Sequence, residues 1–240
     1  MSVLPVALEG IKHCSFEPPV EALAGFALRN PDLLGLVADV VLTAYHPGHF
    51  DDNLWEQFVL IYSPEPSHAS DLHSLLVDFY SCSKIKTLED RRAKLLERIL
   101  WECTPRNCTL SVTDKRRKCQ LRDGSGNVLG CSGHDFDIAL LGIRAFEGYE
   151  CKASVDNFLG GRTQNKPKSK HSAKLAYMCR VKSELVKLGF DAHVYLAGYA
   201  KSMDHARSIL FRNRFAEIEL LGSVDIYHMI VAARGGWASV

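Results

Sequence analysis

The sequence predicts an α/β protein: a mixed β-sheet flanked by helices, preceded by an all-α N-terminal subdomain. Three observations carry that expectation. Two neighbouring apolar runs, around residues 135–141 and 146–153, alternate with a period of two and meet at a glycine-containing turn, which reads as a β-hairpin. Helix-length and strand-length segments alternate after them, the order expected of a sheet covered by helices. The first 80 residues instead break into helical stretches bounded by prolines. The boundary is placed near residue 82, giving an acidic helical subdomain over 1–82 and a sheet domain over 83–240.

In the first subdomain, Glu21 to Arg29 runs up to Asn30-Pro31, a stop followed by a start. Asp32 to Tyr45 is the second helical run and ends at Pro47-Gly48. Asp51 and Asp52 can cap a third, Leu54 to Tyr62, which Pro64 and Pro66 close. Ala69 to Tyr80 is the fourth. His46, His49 and Asp51 have metal-like spacing but sit in a Pro-Gly turn, where histidines are ordinarily solvated.

Thr87 to Glu102 follows as an amphipathic helix, with Thr87 and Asp90 placed as a capping-box-like start. Cys108 to Val112 reads as a strand, Lys115-Arg116-Arg117-Lys118 as an exposed turn, and Asp123 to Asn127 as the tip of a hairpin leading into Val128-Leu129. Beyond the central hairpin, residues 160–171 are too polar and broken for a regular element and read as a loop. Ser172 to Leu188 is a helix stopped by Gly189, and Phe190 to Tyr199 a buried strand. Asp204 to Phe215 is a helix, Glu217 to Leu221 a strand and Asp225 to Ala233 a last helix. Cys103, Cys108, Cys119 and Cys131 lack a C-x2-C pair, so they read as independent core thiols before they read as zinc ligands.

The chemistry concentrates in the central hairpin. Glu150 and Lys152 are two apart and so share one strand face, and Asp137 lies on the preceding strand. Carboxylates brought together this way repel one another unless a cation lies between them, and hard oxygen donors suit Mg²⁺ or Mn²⁺. Asp137, twelve residues, then Glu150-x-Lys152 resembles the motif of the PD-(D/E)xK nuclease superfamily, and the order of elements over residues 85–233 resembles that superfamily's layout. Gly133 and His134 precede Asp135 where the motif's name would have a Pro-Asp pair, so Asp135 competes with Asp137 for the first position.

The resemblance implies a restriction-endonuclease-like sheet and Mg²⁺- or Mn²⁺-dependent hydrolysis of phosphodiesters. It assigns catalysis to Asp137, Glu150 and Lys152, with the metal held by Asp137, Glu150 and the backbone carbonyl of Cys151. Glu97 on the preceding helix, Asp135, and Lys174 on the following helix are the accessory candidates. Removing one carboxylate is expected to relieve like-charge repulsion in the unliganded protein.

Charge distribution points to the same class of partner. Of 29 basic and 28 acidic residues, the first 80 hold only two basic (Lys12, Arg29) against eleven acidic, leaving 27 basic and 17 acidic in the remainder. A basic half of this kind fits a polyanion. Arg162, Lys166, Lys168 and Lys170, in the loop just after Glu-x-Lys, are the expected phosphate contacts, with DNA preferred to RNA. The N-terminal helices are the expected surface for a second copy or a protein partner. No membrane span or secretory leader is expected, and the eight cysteines read as reduced thiols in a cytoplasmic protein.

Overall fold

The computed structural model describes residues 6–106, 111–130, 133–161 and 166–236. It is a mixed α/β protein that divides into two compact units. One comprises Met1–Cys14, Pro105–Ala197 and Ser202–Leu221; the other comprises Ser15–Thr104, Gly198–Lys201 and Gly222–Val240. Residue 82, the expected boundary, lies inside the second.

The first unit is built on an open six-stranded sheet in chain order: β1 (Ala7–Ile11), β2 (Val112–Arg122), β3 (Phe136–Gly142), β4 (Ala145–Cys151), β5 (Asp191–Ala197) and β6 (Glu219–Leu221). The first four strands pair antiparallel, and β4–β5 and β5–β6 pair parallel. The two parallel steps require crossovers, which helices supply. After the short α6 (Val155–Phe158), α7 (Ser169–Lys187) connects β4 to β5, and α8 (Asp204–Arg212) connects β5 to β6. α7 packs on β5. Its buried residues Leu175, Tyr177, Met178, Val181 and Leu185 repeat at helical spacing, which accounts for both the helix and its inner face. Phe136, Phe146 and Tyr177 form an aromatic cluster with centroids 5.6 and 5.3 Å apart. Gly148 completes it by absence, because a Cβ there would lie 2.7 Å from the Phe136 ring and 2.8 Å from that of Phe146.

Two sequence expectations fail in this unit. Lys115 to Lys118 is not an exposed turn; it lies in the middle of the 11-residue β2, and Arg117 is buried. Charge alone suggested a turn, but β2 has a hydrogen-bonded neighbour on each side, and pairing fixes it as a strand. Lys118 takes a left-handed backbone (φ 44°) beside the β-bulge between β1 and β2. β1 is the second surprise, a strand within residues expected to be all helical. The expected strand from Cys108 to Val112 begins outside the described residues, and only Val112 of it is seen, as the first residue of β2.

The second unit is helical: α1 (Pro18–Arg29), a 3₁₀ turn (Pro31–Leu33), α2 (Leu34–Thr43), α3 (Asp52–Tyr62), α4 (Pro66–Tyr80), α5 (Ile85–Cys103) and, from the end of the chain, α9 (Ser223–Gly236). Prolines at the first turns of α1 and α4 set their starts, and the Asp51 carboxylate caps α3 by accepting from Leu54 N at 2.8 Å. α5 starts at Ile85, two residues before the expected capping box, and Lys84 provides no side-chain cap. α1 packs on α4 and α5, and α9 on α2 and α5. Two buried arginines of α5 finish other helices. Arg91 Nη1 donates to Phe79 O (2.5 Å) at the end of α4, and Arg92 Nε to Val41 O (2.8 Å) at the end of α2. A cation there meets both the unpaired carbonyls and the negative end of the helix dipole.

Candidate active site

The site lies in the sheet unit, where β3 begins and β4 ends. β4 is buried along nearly its whole length, so its polar side chains require explicit partners. Glu150, the sixth residue of β4, is buried, and its carboxylate is held by two ammonium groups. Lys152 Nζ lies 2.5 Å from Oε1, and Lys174 Nζ, reaching across from α7, lies 2.6 Å from Oε2. The second contact is close but lacks hydrogen-bond geometry, leaving Oε2 a buried oxygen without a hydrogen bond. Asp137 joins from β3: its Oδ2 accepts from Cys151 N at 2.7 Å and stands 3.8 Å from Lys152 Nζ. Both carboxylates of the motif therefore bear on the same lysine.

Burial and the neighbouring Asp137 carboxylate raise the Glu150 pKa, while Lys152 and Lys174 pull it back. For Lys152, burial disfavours the charge, but Glu150 and Asp137 outweigh it and the pKa is raised. Among the side chains alone, then, Lys152 is held as a cation, the reverse of the lowering that an adjacent dication would produce.

Lys174 also donates to the backbone carbonyl of Asp135, and its ammonium is 3.7 Å from Asp135 Oδ1. Asp135 and Asp137 are thus separated in role: Asp137 sits with Lys152 and Cys151, and Asp135 with Lys174. The carbonyl of Cys151 accepts from Lys152 Nζ at 3.1 Å and so faces the same cluster. Glu97 is buried on α5, in the helical unit.

Two residues beside the site escaped the sequence reading. Lys152 Nζ lies 5.3 Å from the centre of the Phe158 ring, and that ring stacks on His171 at 4.4 Å. His171 Nδ1 is bonded to Phe158 O at 2.6 Å, and burial together with the Lys170, Lys152 and Lys168 charges lowers its pKa despite that bond. Phe158 belongs to a four-residue helix, too short to show periodicity, while His171 fell within the expected loop.

That loop ends earlier than expected, because α7 begins at Ser169. Lys168 is its N-cap residue and Lys170 lies in its first turn; both are exposed, as is Lys166. Arg162 lies outside the described residues. Basic side chains at a helix N-terminus face the positive end of the dipole, an arrangement that a bound anion relieves.

An oxygen-only donor set of Asp137, Glu150 and the Cys151 carbonyl, with one buried oxygen lacking a hydrogen bond, suits a hard divalent cation that retains part of its water shell. Among the described residues no group of three or more His, Cys, Asp or Glu side chains is arranged to hold a metal. The side-chain donors of the motif itself are the Asp137 and Glu150 carboxylates, with the Asp135 carboxylate held beside them by Lys174. His46 and His49 instead form a ring cluster with Tyr45, at centroid distances of 4.9 to 5.0 Å. Cys103 and Cys119 are buried cysteines, with burial pushing the Cys119 pKa up to about 12; Cys108 and Cys131 lie outside the described residues. No helix among the described residues is long and apolar enough to cross a membrane. Comparison of the sequence with protein-family models and with curated proteins gives no match.

Proposed function

We propose that the chain is a metal-dependent nuclease of the PD-(D/E)xK kind that hydrolyses phosphodiester bonds, with DNA the preferred substrate, on a restriction-endonuclease-like sheet. The observation that carries the reading is the convergence of Asp137 and Glu150, from adjacent strands, on the Lys152 ammonium. A buried carboxylate costs several kcal/mol unless compensated, so its retention at the end of a core strand calls for a reason beyond packing.

Asp137, Glu150 and the Cys151 carbonyl would hold Mg²⁺ or Mn²⁺, which supplies a water of lowered pKa and offsets charge on the phosphoryl oxygens. Lys152, cationic and tied to both carboxylates, would orient the attacking water and stabilise negative charge developing on the phosphate. Lys174 balances Glu150 from the other side and fixes its rotamer through its bond to the Asp135 carbonyl. Phe158 covers one side of Lys152 and limits its access to water. Lys166, Lys168 and Lys170 supply positive charge for the backbone of the nucleic acid.

The test is incubation of the purified chain with plasmid DNA and Mg²⁺ or Mn²⁺. Cleavage that needs the metal and disappears in Glu150→Gln supports the reading; intact plasmid under every divalent ion, with the fold verified, overturns it. One observation favours a second reading. Two ammoniums already neutralise Glu150, as suits a catalytically silent nucleic-acid-binding module. Retained DNA affinity without cleavage would select it.

A further inference from the structure

We propose that the helical unit carries a binding site for an aromatic phosphomonoester, in the cleft where α1, α5 and α9 meet. The cleft has a volume of about 540 Å³ and is lined by Leu28, Arg29, Cys103, Ile230, Ala233 and Arg234, among others. That size lies within the range of roughly 300–1,000 Å³ typical of small-molecule sites. Its floor is apolar, with Cys103 and Ile230 buried. Its rim is cationic.

The charges on that rim are not equivalent. Arg98 is committed to acids, with Nε 2.7 Å from Glu21 Oε2 and Nη1 bonded to Glu102. Burial weakens the Arg98 charge, but these two hydrogen bonds outweigh it and hold the guanidinium protonated. Arg98 with Glu21 and Glu102 therefore carries a net charge of −1, and the positive charge of the cleft comes from the other two arginines. Arg29 and Arg234 have no carboxylate within ion-pair distance among the described residues. They are neighbours, because Arg234 Nη1 donates to Arg29 O at 3.1 Å. Arg29 folds back over Gly25, where a Cβ would lie 3.3 Å from its Nη1, so the missing side chain leaves room for the guanidinium.

Two guanidiniums on one cleft, neither with an acid among the described residues, call for an anion of about two charges. A phosphomonoester carries roughly −1.5 to −2 near neutral pH and presents three oxygens to the forked donors, whereas a carboxylate brings only one charge. The apolar floor formed by Leu28, Ile230 and Ala233 then takes a flat or aromatic body. This site is independent of the phosphodiesterase reading, since every residue named here belongs to the helical unit.

The experiment is calorimetric titration of the intact chain with phenyl phosphate and with AMP, alongside inorganic phosphate and decanoate. At least one of the two aromatic phosphomonoesters should bind saturably, at least about tenfold more tightly than either control. Arg29→Met/Arg234→Met should weaken that binding tenfold or more while leaving metal-dependent plasmid cleavage unchanged. Arg29→Lys/Arg234→Lys, which keeps the charge and loses the fork, should fall between, and it replaces the methionine variant should that one fail to fold. Gly25→Leu, with both arginines present, should abolish binding by filling the cleft. The inference is overturned if neither phosphomonoester saturates by 5 mM, on the order of the weakest specific affinities. It also falls if inorganic phosphate or decanoate binds as tightly as the aromatic esters, or if the arginine variants bind as the parent does.

Discussion

Strand β4 buries two glutamates three residues apart, and they are treated in opposite ways. Glu150 points toward α7 and is surrounded by charge: two ammoniums, a second carboxylate, and one oxygen with no hydrogen bond. Glu147 points to the other side of the sheet, where Oε2 accepts from the Tyr149 hydroxyl and, at 2.9 Å, from the Arg106 backbone amide. Tyr149 stacks on Tyr195 at 4.8 Å, and burial first, with the Glu147 charge second, raises its pKa well above the ordinary tyrosine value. Glu147 is therefore a hydrogen-bond acceptor within a buried network, the usual condition of a buried polar group. Glu150 is held by ion pairs that another cation can replace. Burial alone does not mark a functional carboxylate; the chemistry of its partners does.

The strongest way to break that distinction is to exchange the two residues' importance. Glu150→Gln and Asp137→Ala should each lower metal-dependent cleavage about a thousandfold or more, several kcal/mol of lost charge stabilisation. Glu147→Gln should leave the rate within about threefold. Equal losses at Glu147 and Glu150 would erase the difference between the two sides of β4. If Asp135→Ala alone is inactive, the first acid of the motif lies two residues earlier.

Lys152→Ala should retain metal and DNA binding while its single-turnover rate falls about a hundredfold, the size of effect a positioned proton-transfer or charge-stabilising group has. Should affinity fall and the single-turnover rate persist, Lys152 is a phosphate clamp.

Stability gives a smaller and independent contrast. The sequence suggested that deleting a carboxylate would relieve repulsion; Asp137 does act against Glu150, but the loss of counter-charge for the lysines should outweigh that relief. Glu150→Ala leaves the buried Lys174 ammonium without its closest counter-charge, and should cost about 3–5 kcal/mol in chemical denaturation. Glu147→Gln should cost only about 1–3 kcal/mol, since the amide oxygen still accepts. Gly148→Ala, between these two glutamates, sharpens the comparison by forcing a methyl group into the Phe136 and Phe146 rings, at about 1–3 kcal/mol.

The smallest effect belongs to the exposed lysines. Neutralising Lys166, Lys168 and Lys170 together should flatten the salt dependence of DNA affinity by up to about three on a log–log scale, with little change in rate at saturation. The control is Lys115 with Lys118, on the strand once expected to be a turn. If that pair changes the slope and the other three do not, the nucleic acid meets a different surface.

What could be read from the sequence was local. The β3–β4 hairpin announces itself by alternation, and the ends of α1 and α4 by prolines, because each signal is carried by residues within a few positions of one another. β1 and β2 were illegible for the complementary reason. Ala7 pairs with Arg122, more than a hundred residues away, and no window of sequence contains both. The same distance hid the membership of α5 and α9 in one helical unit. At the site, Asp137, Glu150 and Lys152 stood out by spacing, and Lys174 was a weak candidate one helix later. That two lysines would share a single carboxylate depends on how α7 lies on the sheet, which spacing does not encode.

The sheet's two free borders have a consequence for life at high concentration. An open sheet ends in rows of unpaired amides and carbonyls that invite a neighbouring molecule to add a strand. Here one border, β6, is only three residues long, and the other, β1, is interrupted by the irregularity between Glu9 and Ile11. At Gly10 a Cβ would come within 2.6 Å of the Arg117 carbonyl and 2.5 Å of the Cys119 Cβ, so the chain tolerates no side chain at the kink. A border so short on one flank and so bent on the other offers no straight template, and it protects the protein from fibre-like stacking.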